Sequence, residues 1–180
     1  MLPGEEWSDC ECWWYSLMHI CQRWQRLIFA SASYLGICLV CTYSTPVADM
    51  LARLPVLPLI VDYADEACRL TVESEEGLRF ALLPQRRDRI HRIRLLIHQP
   101  YLWTFVVALF DGNFPRLEHL FVKLQERSNT SSSLSLRLPD TFRAPCLRHL
   151  VLTHFGFLLV SPILATSVYL VTLSVKVQWT

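Results

Sequence analysis

The sequence predicts an α/β protein in which a short helical segment, residues 1–34, leads into a solenoid of parallel strands and short helices over residues 35–180. Three observations predict this. Apolar residues recur every three or four positions near the N-terminus, as on one side of a helix. Downstream, strand-like apolar runs alternate with short helical patterns, which calls for parallel strands joined by crossovers. One apolar template also recurs through those strands.

The helical stripe consists of Trp14, Leu17, Ile20, Cys21, Trp24, Leu27 and Ile28, with Gln22, Arg23, Gln25 and Arg26 on the opposite side. This pattern places the tryptophans on a buried face, with Trp24 as the anchor. The small residues 30–33 end the helix, and 35–41 form a first strand. Pro46 opens a short helix over 47–54. A second strand covers 57–61, between Pro55 and Pro58 and the acidic cluster Asp62, Asp65 and Glu66, which reads as a solvated loop. A helix over 73–83 and a basic stretch over 86–94 lead to a third strand at 93–97. Pro100 precedes a helix over 101–110, stopped by Asp111-Gly112. Strands follow at 117–124 and 147–152, separated by a polar loop at 128–133. A helical turn around 162–167 precedes a sixth strand at 170–177.

The recurring template is apolar-x-x-apolar-x-apolar. It fits Ile90, Ile93, Leu95; Leu117, Leu120, Val122; Leu147, Leu150, Leu152; and Leu170, Leu173, Val175, whose starts are 27, 30 and 23 residues apart. Val56, Leu59, Val61 fit 34 residues earlier, and Leu35, Cys38, Val40 another 21 before that. A leucine-rich repeat has such a core, with a period of about 20–29 residues. The repeats here are irregular, and the asparagine usual after the strand is replaced at His98, Gln125, Phe155 and Gln178. The alternative is an ordinary parallel α/β sheet.

Strand geometry sends the fourth and sixth template positions inward and the third, fifth and seventh outward. The outward set is Arg92, Arg94, Leu96; His119, Phe121, Lys123; His149, Val151, Thr153; and Thr172, Ser174, Lys176. The set is basic and free of acids, in a chain with 17 basic and 16 acidic residues and a net charge of +1. The expectation is a docking face for a partly acidic partner. The near-neutral total gives no electrostatic reason to expect nucleic acid or an anionic membrane surface.

With 52% hydrophobic and 18% charged residues, the 180-residue chain can bury a sizeable core. Glu5, Glu6, Asp9 and Glu11 precede any apolar run, unlike a secretory signal. Seven scattered cysteines suit a reducing compartment, cytoplasm or nucleus, rather than a disulfide framework. Residues 27–48 and 154–175 carry no charge and are about long enough to span a bilayer. Ser, Thr and Pro interrupt both, and a two-span membrane protein is kept as an alternative.

Catalytic and metal chemistry has no assembled motif. Cys38-x-x-Cys41 stands alone as a CxxC pair, and offset 3 on a strand sends its side chains to opposite faces. The six histidines show no HExxH spacing, and neither GxSxG nor a phosphate-binding glycine loop is present. The expectation is no catalytic residue, no metal and no cofactor.

Trp14 through Ile28, with its core Ile20-Cys21-Gln22-Arg23-Trp24-Gln25-Arg26-Leu27-Ile28 and the following Ala30-Ser31-Ala32-Ser33-Tyr34-Leu35, resembles the last helix of an F-box. With the leucine-rich strands, the chain is similar to the F-box and leucine-rich-repeat proteins abundant in fungi. The resemblance implies a non-enzymatic substrate-recognition subunit of a cullin-RING ubiquitin ligase. Its F-box helix would dock on an SKP-type adaptor, and its repeats would hold a protein substrate. The family's first helix begins with Leu-Pro and an aliphatic stripe, whereas here Leu2-Pro3 is followed by Gly4-Glu5-Glu6-Trp7. The leading part of the F-box is expected to be missing, and a truncated or vestigial repeat protein without ligase binding is the second reading.

Overall fold

The computed structural model describes residues 20–31, 37–42, 57–63, 83–97, 107, 110–124, 139–153 and 161–176. Six strands form one parallel sheet in chain order: β1 (Leu39–Cys41), β2 (Leu59–Tyr63), β3 (Ile90–Ile97), β4 (His119–Leu124), β5 (His149–Thr153) and β6 (Thr172–Lys176). Helix α1 (Gln22–Ala30) precedes the sheet, a 3-10 segment (Leu83–Arg89) leads into β3, and α2 (Ser161–Thr166) lies between β5 and β6. The class is α/β, with parallel pairing as expected from alternating elements. The helix expected at 47–54, all but Leu83 of the helix expected at 73–83, the loop at 128–133, and Trp14 and Leu17 lie outside the described residues; Leu83 begins the 3-10 segment. Of the helix expected at 101–110, only Val107 and Phe110 are described, both helical.

The template sets the register. Ile93, Leu120, Leu150 and Leu173 are direct cross-strand partners, as are Leu95, Val122, Leu152 and Val175. Leu117 and Leu147, at the first template position, are fully buried. Side chains alternate along a strand, so these rows fill one face of the sheet and build a continuous core through β5; in β6 the expected inward Leu173 is 44% exposed, and Leu170 and Val175 are only partly buried. Each fully buried aliphatic side chain contributes roughly 1.5–3 kcal/mol.

The first two strands correct the sequence reading. In β1 the buried residues are Leu39 and Cys41, preceded by buried Ile37, whereas Cys38 and Val40 are only partly buried. The expected set Leu35, Cys38, Val40 was one residue out of phase for the described strand, and such a slip moves every side chain to the other face. In β2 the residues opposite Ile93 and Leu95 are Val61 and Tyr63, not Leu59 and Val61. Leu59 pairs with Ile90 and Ile60 with Arg92, leaving His91 as an extra residue in a β-bulge.

A hydrogen-bond ladder links the strand entries. The Glu118 amide donates to the His91 carbonyl (2.8 Å), and the Arg148 and His149 amides donate to Glu118 (2.8 and 2.9 Å). The Val171 and Thr172 amides in turn donate to Arg148 (2.8 and 2.9 Å). Before β4 and β5 the chain repeats Pro-x-Leu-x-His-Leu, at 115–120 and 145–150. Both copies carry the same turn, with Leu117 donating to Phe114 (3.3 Å) and Leu147 to Ala144 (3.1 Å).

Under these turns, Phe110, Phe114 and Phe142 form a buried trio with ring centroids 5.3–6.1 Å apart. The backbone bridge between Asn113 and Arg143 holds their two segments together. Gly112 makes the turn into this bridge at φ +142°, a conformation side-chain-bearing residues rarely adopt. Arg89 closes the other side of the core. It is buried, and its Nε and Nη2 donate to the Leu57 carbonyl at 2.9 and 2.6 Å. The basic stretch 86–94 therefore contains a structural arginine as well as surface ones.

Phe142→Ala should remove an aromatic from the centre of the trio and cost about 3–5 kcal/mol. Urea unfolding monitored by circular dichroism checks this. A loss below about 1 kcal/mol would mean the trio does not carry the packing between the two turns.

Candidate functional site

The outward rows of the sheet follow from the inward ones. Arg92, His119, His149 and Thr172 are consecutive cross-strand partners; so are Arg94, Phe121, Val151 and Ser174; and so are Leu96, Lys123, Thr153 and Lys176. The register thus gathers on one face every residue that sequence reasoning assigned to it. Most are half-buried and Lys176 is exposed. Leu96 is the departure, since it is buried despite its outward parity, as is Ile60 in β2. The accessible part of the face therefore lies over β4 to β6 with the arginines of β3 at its side.

Two histidines stack at the centre of the first row. The His119 and His149 rings lie 4.4 Å apart and within 7° of parallel. Parallel strands about 4.8 Å apart bring equivalent side chains to stacking distance, so the geometry follows from the shared repeat position. His149 Nδ1 shares a hydrogen bond with Thr172 Oγ1 at 3.1 Å, a partner the sequence offered no means to identify. Burial, followed by the positive charges of Arg92, His149 and Arg148, pushes the pKa of His119 down to about 4. His91, the bulge residue, is likewise held below the ordinary range, first by burial.

The second row is aromatic and ionic. The Arg94 guanidinium lies 5.8 Å from the Phe121 ring centroid and 3.6 Å from the Asp62 carboxylate. Asp62 belongs to β2 and pairs with Arg94 across the strands. It is not a loop residue, and the face is not free of acids: the Asp62 carboxylate borders it at β2. The pair is partly exposed and worth about 0–1 kcal/mol, so it orients Arg94 more than it stabilises the fold. Asp65 and Glu66 lie outside the described residues.

The helix departs more from expectation. Ile20, Trp24 and Leu27 are 62%, 49% and 51% exposed, Cys21 is exposed, and Ile28 is buried against the sheet core with Phe29 partly packed beside it. Trp24 is therefore not a buried anchor. Of the expected stripe, Trp24, Leu27 and Ile28 lie in α1, Ile20 and Cys21 just precede it, and Trp14 and Leu17 lie outside the described residues; periodicity does not state what covers such a stripe. Ile20, Trp24 and Leu27 form an apolar surface, and α1 joins the core through its last turn.

No group of three or more His, Cys, Asp or Glu with metal-binding geometry occurs among the described residues. Cys41 is buried and its thiol is raised to about 12, mainly by that burial, so it packs as a small apolar side chain. Among the described residues no helix is long and apolar enough to cross a membrane. The described parts of the two uncharged stretches form the end of α1, β1, α2 and β6. In comparison with protein-family models, curated proteins and solved structures, the chain matches none.

The depressed His119 pKa has a signed consequence. The unfolded chain takes up this proton near the ordinary 6.5, whereas the folded chain resists it until about 4. His119 therefore favours folding above 6.5, and that contribution is lost as pH falls towards 4. Urea midpoints for wild type and His119→Gln should diverge least at about pH 5 and most at about pH 7, in favour of wild type. A difference independent of pH would exclude a neutral, desolvated His119.

Proposed function

We propose that this protein is a non-catalytic interaction module. In this reading it is a substrate-recognition F-box protein of a cullin-RING ubiquitin ligase, with a leucine-rich-repeat solenoid holding the substrate. The observation that carries the reading is the exposed stripe of α1. A helix whose Trp24 and Leu27 stand half in solvent while Ile28 anchors it to the core is suited to receiving a second protein. Those residues lie within the sequence that resembles the last F-box helix. The regular parallel sheet, with strand order equal to chain order and the template in register, supports the repeat half of the reading. Its outward rows supply the substrate face, with Arg92, Arg94, His119, Phe121, Lys123, His149, Val151, Thr153 and Lys176 as its members.

Energetics separate the two halves. The stripe contributes little to the fold because it is exposed, so its substitution should affect association and spare stability. Trp24→Ala is expected to change unfolding free energy by about 1 kcal/mol or less, and Leu27→Asp similarly. Both should abolish co-purification with an SKP-type adaptor in pull-downs from cells expressing the whole chain. Wild-type protein that folds but captures no adaptor would leave a repeat protein without ligase contact. A Trp24→Ala loss of about 3 kcal/mol or more would show that the stripe is core after all.

A further inference from the structure

The outward rows lie two residues apart along each strand, the same spacing at which an extended chain presents side chains to one side. The two ends of this face are cationic or imidazole, with Arg92, His119 and His149 at one end and Lys123 and Lys176 at the other. The row between them runs Arg94, Phe121, Val151 and Ser174, and is apolar at its centre, at half-buried Phe121 and Val151. Strand rise puts the two end rows about 13 Å apart, with the apolar row about midway. An extended peptide running along the strands would place residues i, i+2 and i+4 over these three rows.

We infer that the face binds an extended acidic segment of a partner protein with the pattern acidic-x-apolar-x-acidic, its central side chain on Phe121 and Val151 and its carboxylates at the two ends. Charge complementarity selects this occupant. A chain of net charge +1 collects two arginines and two lysines on these rows, with the His119 and His149 imidazoles beside them; among the described residues the carboxylate that borders them is Asp62, which is engaged with Arg94. The apolar middle row excludes a partner that offers charge alone, because covering Phe121 and Val151 with a polar chain would forgo their burial. Side-chain parity supplies the specificity. A segment with the same composition but acids at i+1 and i+3 would direct its carboxylates away from the sheet while its apolar residue faced inward. This inference rests on the reading of the sheet face as a substrate surface.

The test uses the full chain and fluorescein-labelled peptides, followed by fluorescence anisotropy. The probe contains Glu-Ser-Leu-Ser-Glu. The controls contain Ser-Glu-Leu-Glu-Ser, which has the same composition in the other parity, and Gln-Ser-Leu-Ser-Gln, which lacks the charges. The probe should bind at least about tenfold more tightly than either control, and its affinity should fall with added salt. Lys123→Gln combined with Lys176→Gln should weaken the probe several-fold, as should Phe121→Ala. The peptide controls use the unaltered protein, so the outcome does not depend on whether the variants fold. Equal binding of the two parities overturns the inference, as does failure of the probe to bind. So does a single-stranded oligonucleotide that binds as tightly as the probe, since the face would then read charge alone. Adaptor capture depends on α1 and peptide binding on the sheet. Peptide binding without adaptor capture therefore defeats only the ligase reading, and adaptor capture without peptide binding defeats only this inference.

Discussion

The fold depends on one packing relation, the in-register stacking of apolar side chains across parallel strands. Cys41, Val61, Ile93, Leu120, Leu150 and Leu173 form one such row, and Tyr63, Leu95, Val122, Leu152 and Val175 form the next. Unequal intervals between repeats do not disturb it, because the crossover absorbs the difference while the strand meets its neighbour at the same level. Once the inward rows are aligned, the pleat leaves no choice about the outward ones. The His119–His149 stack and the Arg94–Phe121 contact are therefore consequences of how leucines pack on the opposite face.

This explains which parts of the structure were legible in the sequence. From β3 to β6, polar and apolar residues alternate within each template, so phase can be read and the outward residues named one by one. In β1 the run Ile37-Cys38-Leu39-Val40-Cys41 is apolar throughout, and no pattern within it marks the inward side. Burial by neighbouring elements decides, and it selects Ile37, Leu39 and Cys41. In β2 the obstacle is the bulge at His91, which displaces the register without any local sign such as a glycine. Asp62 reads as a loop residue in the sequence for the same reason, whereas the strand extends past Val61 and pairs Asp62 with Arg94 and Tyr63 with Leu95.

Residue type alone was a weaker guide for the arginines. Within one basic stretch, Arg89 is buried and holds the Leu57 carbonyl, Arg87 lies 5.9 Å from the Phe114 ring centroid, and Arg94 reaches both Asp62 and Phe121. A buried guanidinium costs desolvation that only well-placed acceptors offset. Here the acceptor is a carbonyl 32 residues away in sequence, and nothing in local composition announces it. The helix poses the converse problem. Ile20, Trp24 and Leu27 have the periodicity of a core face, but a partner-binding helix has the same periodicity.

The support beneath the binding face is graded along the sheet, which bears on where recognition can be sharp. Leu120 and Leu150 are essentially inaccessible, with a strand on either side, while Leu173 in β6 is 44% exposed. Side chains on β4 and β5 thus stand on a closed core and are held by neighbours on both edges. Those on β6 stand on a partly open one, where only the β5 side supplies hydrogen bonds among the described residues. Ordering a contact costs less where the scaffold already holds it. His119, Phe121, Lys123, His149 and Val151 are accordingly better placed to discriminate between partners than Thr172, Ser174 and Lys176. In the proposed reading the outer strand adds charge and extends the face, and selectivity would reside over β4 and β5, where the stack of leucines below is complete.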